Sequence, residues 1–233
     1  MEILIDFVRH GQSCGNVGVY HEEKVRRWGL PLDPHDPVVT NRGLAQSQAL
    51  RRFGPLPQQP DCVVVSPQVR AIDTAQALYP HERLVVAPFL KEDSATLEGQ
   101  LRSVADWTDY CRNHDVDPRF LLHKGRWHPD AHTSDPRRFL RFLAERVVPE
   151  AGICHLVVVT HAKFLRTLFH SESQPYNLAV IRMAYRRHRG TLQPERSHIP
   201  HLRVPRPTRY IVFPGHSTQD HELHPDDVDR CHL

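Results

Sequence analysis

Short apolar runs punctuate this chain, separated by stretches in which apolar residues recur every three or four positions. The runs Glu2 to Val8, Asp61 to Val65, Arg83 to Val86, His155 to Thr160 and Leu178 to Tyr185 are rich in Val, Ile and Leu and read as strands. Runs this continuous belong to strands covered on both faces, as in parallel sheets. Three helix signals lie between them. Thr40 or Asn41 can cap a helix running through Phe53. Ser66 caps another, with Pro67 at its first position, running through about Leu78; Ser134 or Asp135 caps a third, with Pro136 early and Phe139, Leu140, Leu143 and Val147 at helical spacing. Strands alternating with helices predict an α/β fold, a three-layer α/β/α sandwich around a mostly parallel sheet.

Two stretches break the rhythm. Residues 94–133 hold Trp107, Tyr110, Phe120 and Trp127 among polar residues, too long for a plain connection, and are expected to form a lid or insertion over the strand ends. There Trp107, Tyr110 and Trp127 fill a small core or stack on a ring, and Arg102, Arg112, Lys124 and Arg126 are candidates for a second anionic group. Beyond Arg186 the text turns to Pro, His and Arg, with Arg209 to Phe213 as a last edge strand. The expected organisation is one domain over 1–213, followed by a flexible tail over 214–233. His221 and His224 in that tail lack a neighbouring ligand that would complete a metal site.

Composition narrows the function classes. With 39% hydrophobic and 24% charged residues in 233, the chain reads as a globular protein with a full core. No run approaches the roughly 20 apolar residues that span a bilayer, and the first strand begins at Glu2 with no basic leader, so a cytoplasmic protein with no membrane partner is expected. Five scattered cysteines, an odd number without zinc-type pairing, are expected as free thiols. The charge of +3 is mild, and the basic runs Arg137-Arg138 with Arg141 and Arg186-Arg187-His188-Arg189 read as solvated surface; nucleic acid is a partner these runs allow but do not favour. Most of the eighteen histidines lie outside any motif.

Two segments carry chemistry. Arg9-His10-Gly11-Gln12-Ser13 follows the first strand, and Thr160-His161 ends a later one, where open α/β sheets place their ligand crevices. Arg70 lies in Ser66-Pro67-Gln68-Val69-Arg70-Ala71, and Glu92 and Asp93 follow Leu90-Lys91. A phosphoryl group needs convergent donors with fixed positive charge, and the planar forks of Arg9 and Arg70 suit it where Lys would not. With positive charge around it, His10 stays neutral and nucleophilic.

The ordered set Arg-His-Gly-x-Ser, Arg70, acid and Thr160-His161, spread from about Glu2 to Tyr185, resembles the histidine phosphatase superfamily, also called phosphoglycerate mutase-like. Asp36-Pro37-Val38-Val39-Thr40-Asn41-Arg42-Gly43 matches its Asp-x-x-Leu-Thr-x-x-Gly element with Val39 for Leu. The resemblance implies a phosphomonoesterase acting through a phosphohistidine on His10, with Arg9, Arg70, Asn16, His161 and Ala162 binding phosphate, and His161 as a cation. Glu92 is the implied acid, with Asp93 as the alternative. No metal and no organic cofactor are implied. Gly15 and Lys91-Glu92-Asp93-Ser94-Ala95 depart from the mutases' Trp before Asn and their Glu-Arg-His-Tyr-Gly, which argues for a phosphatase and against a mutase. The later text looks most like a fungal and plant mutase-like branch, in which Thr-His-Gly-Gly is usual. Ala162 and Lys163 stand for both glycines here, and Lys163 either points away or adds a positive contact. A phosphorylated small molecule or phosphopeptide is the expected partner. The alternatives are a catalytically silent phospho-ligand binder and a phosphatase of nucleotides or RNA ends. Substrate identity and oligomeric state lie beyond the sequence.

Overall fold

In the computed structural model, which describes residues 2–31, 34–148, 155–194, 210–213, 215 and 224–232, the first apolar run forms β1 (Glu2–Arg9). There follow α1 (Cys14–Tyr20), α2 (Glu22–Arg27), α3 (Asn41–Phe53), β2 (Cys62–Val65), α4 (Val69–Leu78) and β3 (Leu84–Val86). Next come α5 (Val104–Tyr110), β4 (Val116–Asp117), the hairpin β5 (Leu122–His123) and β6 (Arg126–Trp127), and α6 (Pro136–Phe142). The described chain continues with β7 (His155–Thr160), α7 (Ala162–Phe169), β8 (Val180–His188), β9 (Thr191–Pro194), β10 (Tyr210–Phe213) and a 3₁₀ helix over Pro225–His232.

The sheet order is β10-β8-β1-β7-β2-β3-β4, with β9 also paired to β8. From β1 to β4 every pairing is parallel, whereas β8 runs antiparallel to β1 and to both of its other neighbours. Side chains alternate across the parallel strands and feed two cores. Ile3, Ile5, Phe7, Val64, Leu156 and Val158 meet the layer of Phe139 and Phe164, from α6 and α7. Val63, Val65, Val157 and Val159 meet Ile72 and Leu78 of α4 on the other face. Burial of each such side chain contributes about 1.5–3 kcal/mol before chain entropy is subtracted.

Local chemistry sets the helix starts. Thr40 caps α3 by accepting the Gly43 amide, and Asp135 caps α6 by accepting from Arg137 and Arg138, with Pro136 at the first turn. The α6 helix passes into one π turn at Leu143–Val147 rather than continuing as regular α. Helix α4 starts later than the Ser66 cap predicts. Its cap is Gln68, because the Ser66 hydroxyl bonds His161 and the Pro67 carbonyl accepts the Trp107 indole N–H at 2.7 Å. Strand β8 likewise begins at Val180, since Leu178 holds φ +60°.

Two further expectations change. The cysteines are not all free thiols: Cys14, the first residue of α1, is bridged to Cys231, while Cys62 and Cys111 are free and Cys154 lies outside the described residues. An odd count forbids complete pairing, not a single bridge across 217 positions. Within the stretch 214–233, expected as a flexible tail, residues 225–232 form a helix held by that bridge, by Asn41 Nδ2 donating to the Asp226 carbonyl, and by Arg230 on Asp73. His221 lies outside the described residues, and the His224 amide donates to Asp227. Of the two readings of the 94–133 aromatics, the structure has the core: Leu101, Trp107, Cys111, Leu121 and Ala131 join the core on the α4 face, with Trp107 and Trp127 edge to face at 5.2 Å. No helix among the described residues is long and apolar enough to cross a membrane.

Candidate active site

Strands β1, β7, β2 and β3 all end on one side of the sheet, and the chemistry-bearing residues follow those ends. The His10 amide donates to Thr160 at the end of β7, and the Arg9 amide to Ala179 just before β8, so the turn after β1 is stitched to both neighbours. Gly43 is required for close approach, since a Cβ there would lie 2.4 Å from the Gln12 carbonyl; Gly11 fits tightly, where a Cβ would lie 3.1 Å from the Gly43 carbonyl of α3. The Gly11 amide donates to Thr74 Oγ1 of α4 at 2.9 Å. Ser13 then caps α1 in a reciprocal box with Asn16.

This scaffold brings together the residues singled out in the sequence. His10 and His161 are buried with ring centroids 5.2 Å apart. His10 Nδ1 donates to the Gly11 carbonyl at 2.7 Å, which leaves Nε2 with its lone pair. His161 Nε2 shares a hydrogen bond with Ser66 Oγ at 2.8 Å, and its buried Nδ1 has no hydrogen-bond partner but stands 3.8 Å from Glu92 Oε2. Arg9 and Arg70 are 5% and 2% exposed. Arg9 donates to the Pro175 carbonyl at 2.7 Å and its Nε is unpartnered; Arg70 Nη1 donates to the Glu98 carbonyl at 2.9 Å and stands 3.8 Å from Asp36 Oδ1. Asp73, one turn along α4 from Arg70, instead accepts from Tyr110, Arg230 and the Val39 amide. A pocket of about 310 Å³ is lined by Arg9, His10, Asn16, Arg70, Glu92 and Ala162 among others.

Burial is the main influence on the titrating groups. It holds His10 well below the ordinary imidazole value, reinforced by Arg70 and Arg9 and opposed by the Gly11 bond. Burial does the same to His161, with Arg70, His10, Arg9 and Lys91 adding to it. Burial first, and the two guanidinium groups beside it second, thus favour the neutral form of His161 over the cation the resemblance implies. Burial raises Glu92 against the pull of Arg70 and Arg9. Asp93 goes the other way: the hydrogen bond from Lys163 lowers it, and its side chain is 67% exposed. Of the two candidate acids, only Glu92 faces His161 and holds a proton more readily than an ordinary carboxylate. Asp36, fully buried beside Arg70, is pushed up to about 7 by burial.

Lys163 lines the pocket, yet its ammonium is 2.8 Å from Asp93 Oδ2 and donates to the Asp93 carbonyl. Of the 94–133 stretch, Ser94 and Glu98 line the pocket, while the second-anion candidates Arg102, Arg112, Lys124 and Arg126 do not. Lys124 and Gly125 make the positive-φ turn of the β5–β6 hairpin, and Arg112 pairs with Asp109. The basic run 186–189 lies toward the far end of β8, paired near Glu2 rather than near Val8. Residues not legible in the sequence complete the site. Asn177 Nδ2 lies within hydrogen-bond distance of the His10 and Gly11 carbonyls and of Asn16 Oδ1, and Gln68 bonds the acid-bearing segment. Their partners lie too far along the chain for spacing to signal them.

His10, Glu92 and His161 place one ligand atom each within 4.8 Å of one another, the spacing of a metal site among the described residues. Arg9 and Arg70 beside them oppose a cation and favour an anion. Convergent guanidinium groups, an imidazole with a free lone pair and a carboxyl group that holds its proton more readily than usual suit transfer of a phosphoryl group.

Residues 5–175 match the family model described as the histidine phosphatase superfamily, branch 1. No curated protein matches the chain. Among solved structures, the fold is similar to that of ecdysone phosphate phosphatase from Bombix mori, crystallised with tungstate, at 15% identity and a TM-score of 0.50, over 90% of this chain and 98% of that one. A phosphoserine phosphatase from Entamoeba histolytica matches at 17% identity and a TM-score of 0.49, over 82% of this chain and 94% of that one.

Proposed function

We propose that this chain, which belongs to the histidine phosphatase superfamily, hydrolyses phosphomonoesters through a phosphohistidine formed on His10. The observation that carries this reading is the His10 Nδ1–H on the Gly11 carbonyl, which leaves Nε2 unprotonated in a pocket flanked by two buried guanidinium groups. Arg9, Arg70 and the Asn16 amide bind the phosphoryl oxygens. His10 Nε2 attacks phosphorus, the P–O ester bond breaks, and the Glu92 proton passes to the departing oxygen. Water then attacks phosphorus, the P–N bond breaks, and Glu92 recovers a proton from the water. The bound dianion favours the protonated form of His161, which supplies its charge only once phosphate is present.

A pocket of about 310 Å³ suits a small phosphorylated molecule or a phosphorylated side chain of a peptide. We read the chain as a hydrolase rather than a mutase, nearest the fungal and plant branch on Gly125-Arg126-Trp127, the Phe139-to-Val147 helix and the Val158-to-Leu165 text. The silent-binder alternative rests on Lys163 and on the altered acid segment around Glu92, and the turn of the Lys163 ammonium toward Asp93 weighs against the first of these.

Rapid mixing with ³²P-labelled aryl phosphate followed by alkaline quench tests the reading. Label should appear on protein, stable to base and lost in acid, and should be absent from His10→Ala. Turnover without any base-stable label in the wild type, or full turnover by folded His10→Ala, would refute it.

A further inference from the structure

Resting on the reading of Glu92 as the acid, we propose that Gln68 is the positioning residue that holds this acid in register with the phosphate clamp. The Gln68 side chain is fully buried at the start of α4. Its Oε1 accepts the Glu92 amide at 2.7 Å, and its Nε2 donates to the Glu98 carbonyl at 2.9 Å. One amide group thus grips the acid-bearing segment at both ends. The same Glu98 carbonyl accepts Arg70 Nη1 at 2.9 Å, so the second grip is shared with a phosphate-binding guanidinium.

Of the other contacts on this segment, the Asp36 amide on the Leu97 carbonyl is buried and those of Lys163 are exposed. Lys163 bonds Asp93 and donates its amide to Glu92 Oε1 at 3.3 Å, and Lys91 Nζ donates to the Glu92 carbonyl. Water can replace the exposed ones, whereas nothing replaces the buried Gln68 amide when it is removed. Residues 66–70 therefore address the whole site: Ser66 holds His161, Gln68 holds the segment of Glu92, and Arg70 takes the phosphate. Misplacement of a general acid by about an ångström is enough to lose most of its contribution.

A positioning role separates from a merely structural one by leaving group. 4-Nitrophenolate departs without a proton, while an alkoxide such as that of 2-hydroxyethyl phosphate needs one. With Gln68→Met, kcat/KM for 2-hydroxyethyl phosphate should fall about 10- to 100-fold, a large part of what an acid supplies, and that for 4-nitrophenyl phosphate less than about threefold. In a Glu92→Gln background the same substitution should cost the alkyl substrate little more, because the group it positions is already gone. Circular dichroism and a thermal melt check the fold. If Gln68→Met does not fold, Gln68→Asn, which is too short to reach both partners, carries the same readout. Equal losses on both substrates, full additivity with Glu92→Gln, or no loss would overturn the inference. A wild type inactive on both esters would instead overturn the proposed function, so the two failures are told apart.

Discussion

Two buried clusters in this sheet use the same three chemical groups and end in opposite states. Midway along β1, Asp6 is fully buried and wholly answered: Arg182 of β8 donates through Nε at 2.7 Å and Nη2 at 2.8 Å, and His155 of β7 lies 2.9 Å away. At the carboxyl end of the same strand, Arg9 Nε, His161 Nδ1 and Asp36 Oδ2 are buried without hydrogen-bond partners. Folding gains nothing by leaving polar atoms unpaired, since each costs about 1–3 kcal/mol. The first cluster is complete as folded; the second keeps Arg9 Nε as a donor for the anion proposed above, while Asp36 Oδ2, an acceptor, is not answered by an anion. Substitutions should therefore affect stability at one and chemistry at the other.

The largest expected effect is His10→Ala, which should lower kcat/KM for an aryl phosphate by at least about 10⁴-fold with little change in the melting temperature. The pH profile sharpens this assignment. Attack needs neutral His10, held below the ordinary imidazole range, and departure of an alkoxide needs protonated Glu92, held above the ordinary carboxylate range. For an alkyl phosphate kcat/KM should thus be bell-shaped, and Glu92→Gln should remove the descending limb at higher pH. A descending limb that survives this substitution would assign the acid elsewhere.

Next in size is Asp6→Asn, expected to cost about 2–4 kcal/mol of stability in a denaturant melt and less than about threefold in kcat/KM. The figure is at the lower part of the range for broken buried pairs because Arg182 and His155 are about one-quarter exposed. Burial raises the Asp6 pKa, but hydrogen bonds from His155 and Arg182 outweigh it, and the net shift is downward from 3.8. For a carboxylate depressed on folding, the stabilisation is present above the unfolded value and lost as pH falls through the folded one. The gap between wild type and Asp6→Asn should therefore be full above pH 3.8 and close below it. A gap that widens in acid would reverse the assignment of charge.

The contrast also explains what could be read without coordinates. Buried parallel strands write themselves as apolar runs, so β1 and β7 and the residues after them were legible, as were Thr40 and Asp135 as caps. The helices α1 and α2 were not, because Gly15, Gly18 and a polar Glu22–Arg27 segment dilute the helical period. Long-range pairings leave no local trace. Gln68 reaches Glu92 across 24 positions, Asn177 reaches His10 across 167, and Cys14 reaches Cys231 across 217. Ser66 misled because a serine before Pro67 is a good helix cap by composition, yet here its hydroxyl serves His161.

A smaller effect tests the incompleteness of the site directly. Inorganic phosphate at roughly ten times its Kd should stabilise the wild type by about 1.4 kcal/mol, a rise of about 3–5 °C in melting temperature. Arg70→Ala should abolish the rise at that concentration, and Asp6→Asn should keep it on a lower baseline. Equal rises in wild type and Arg70→Ala would mean that phosphate binds away from the unpaired cluster.

The smallest expected effect is at Lys163, which stands at the start of α7 within the pocket wall. Its ammonium and the Asp93 carboxylate are 55% and 67% exposed, so their 2.8 Å contact is screened by water and contributes at most about 1 kcal/mol. The Lys163 amide donation to Glu92 Oε1 comes from the backbone and survives any side-chain change except proline. Lys163→Ala should therefore change kcat/KM by less than about threefold on alkyl and aryl phosphates alike. A large loss confined to substrates with a second anionic group would show instead that the ammonium leaves Asp93 when such a substrate arrives, moving this residue from the surface class into the unanswered charges of the site.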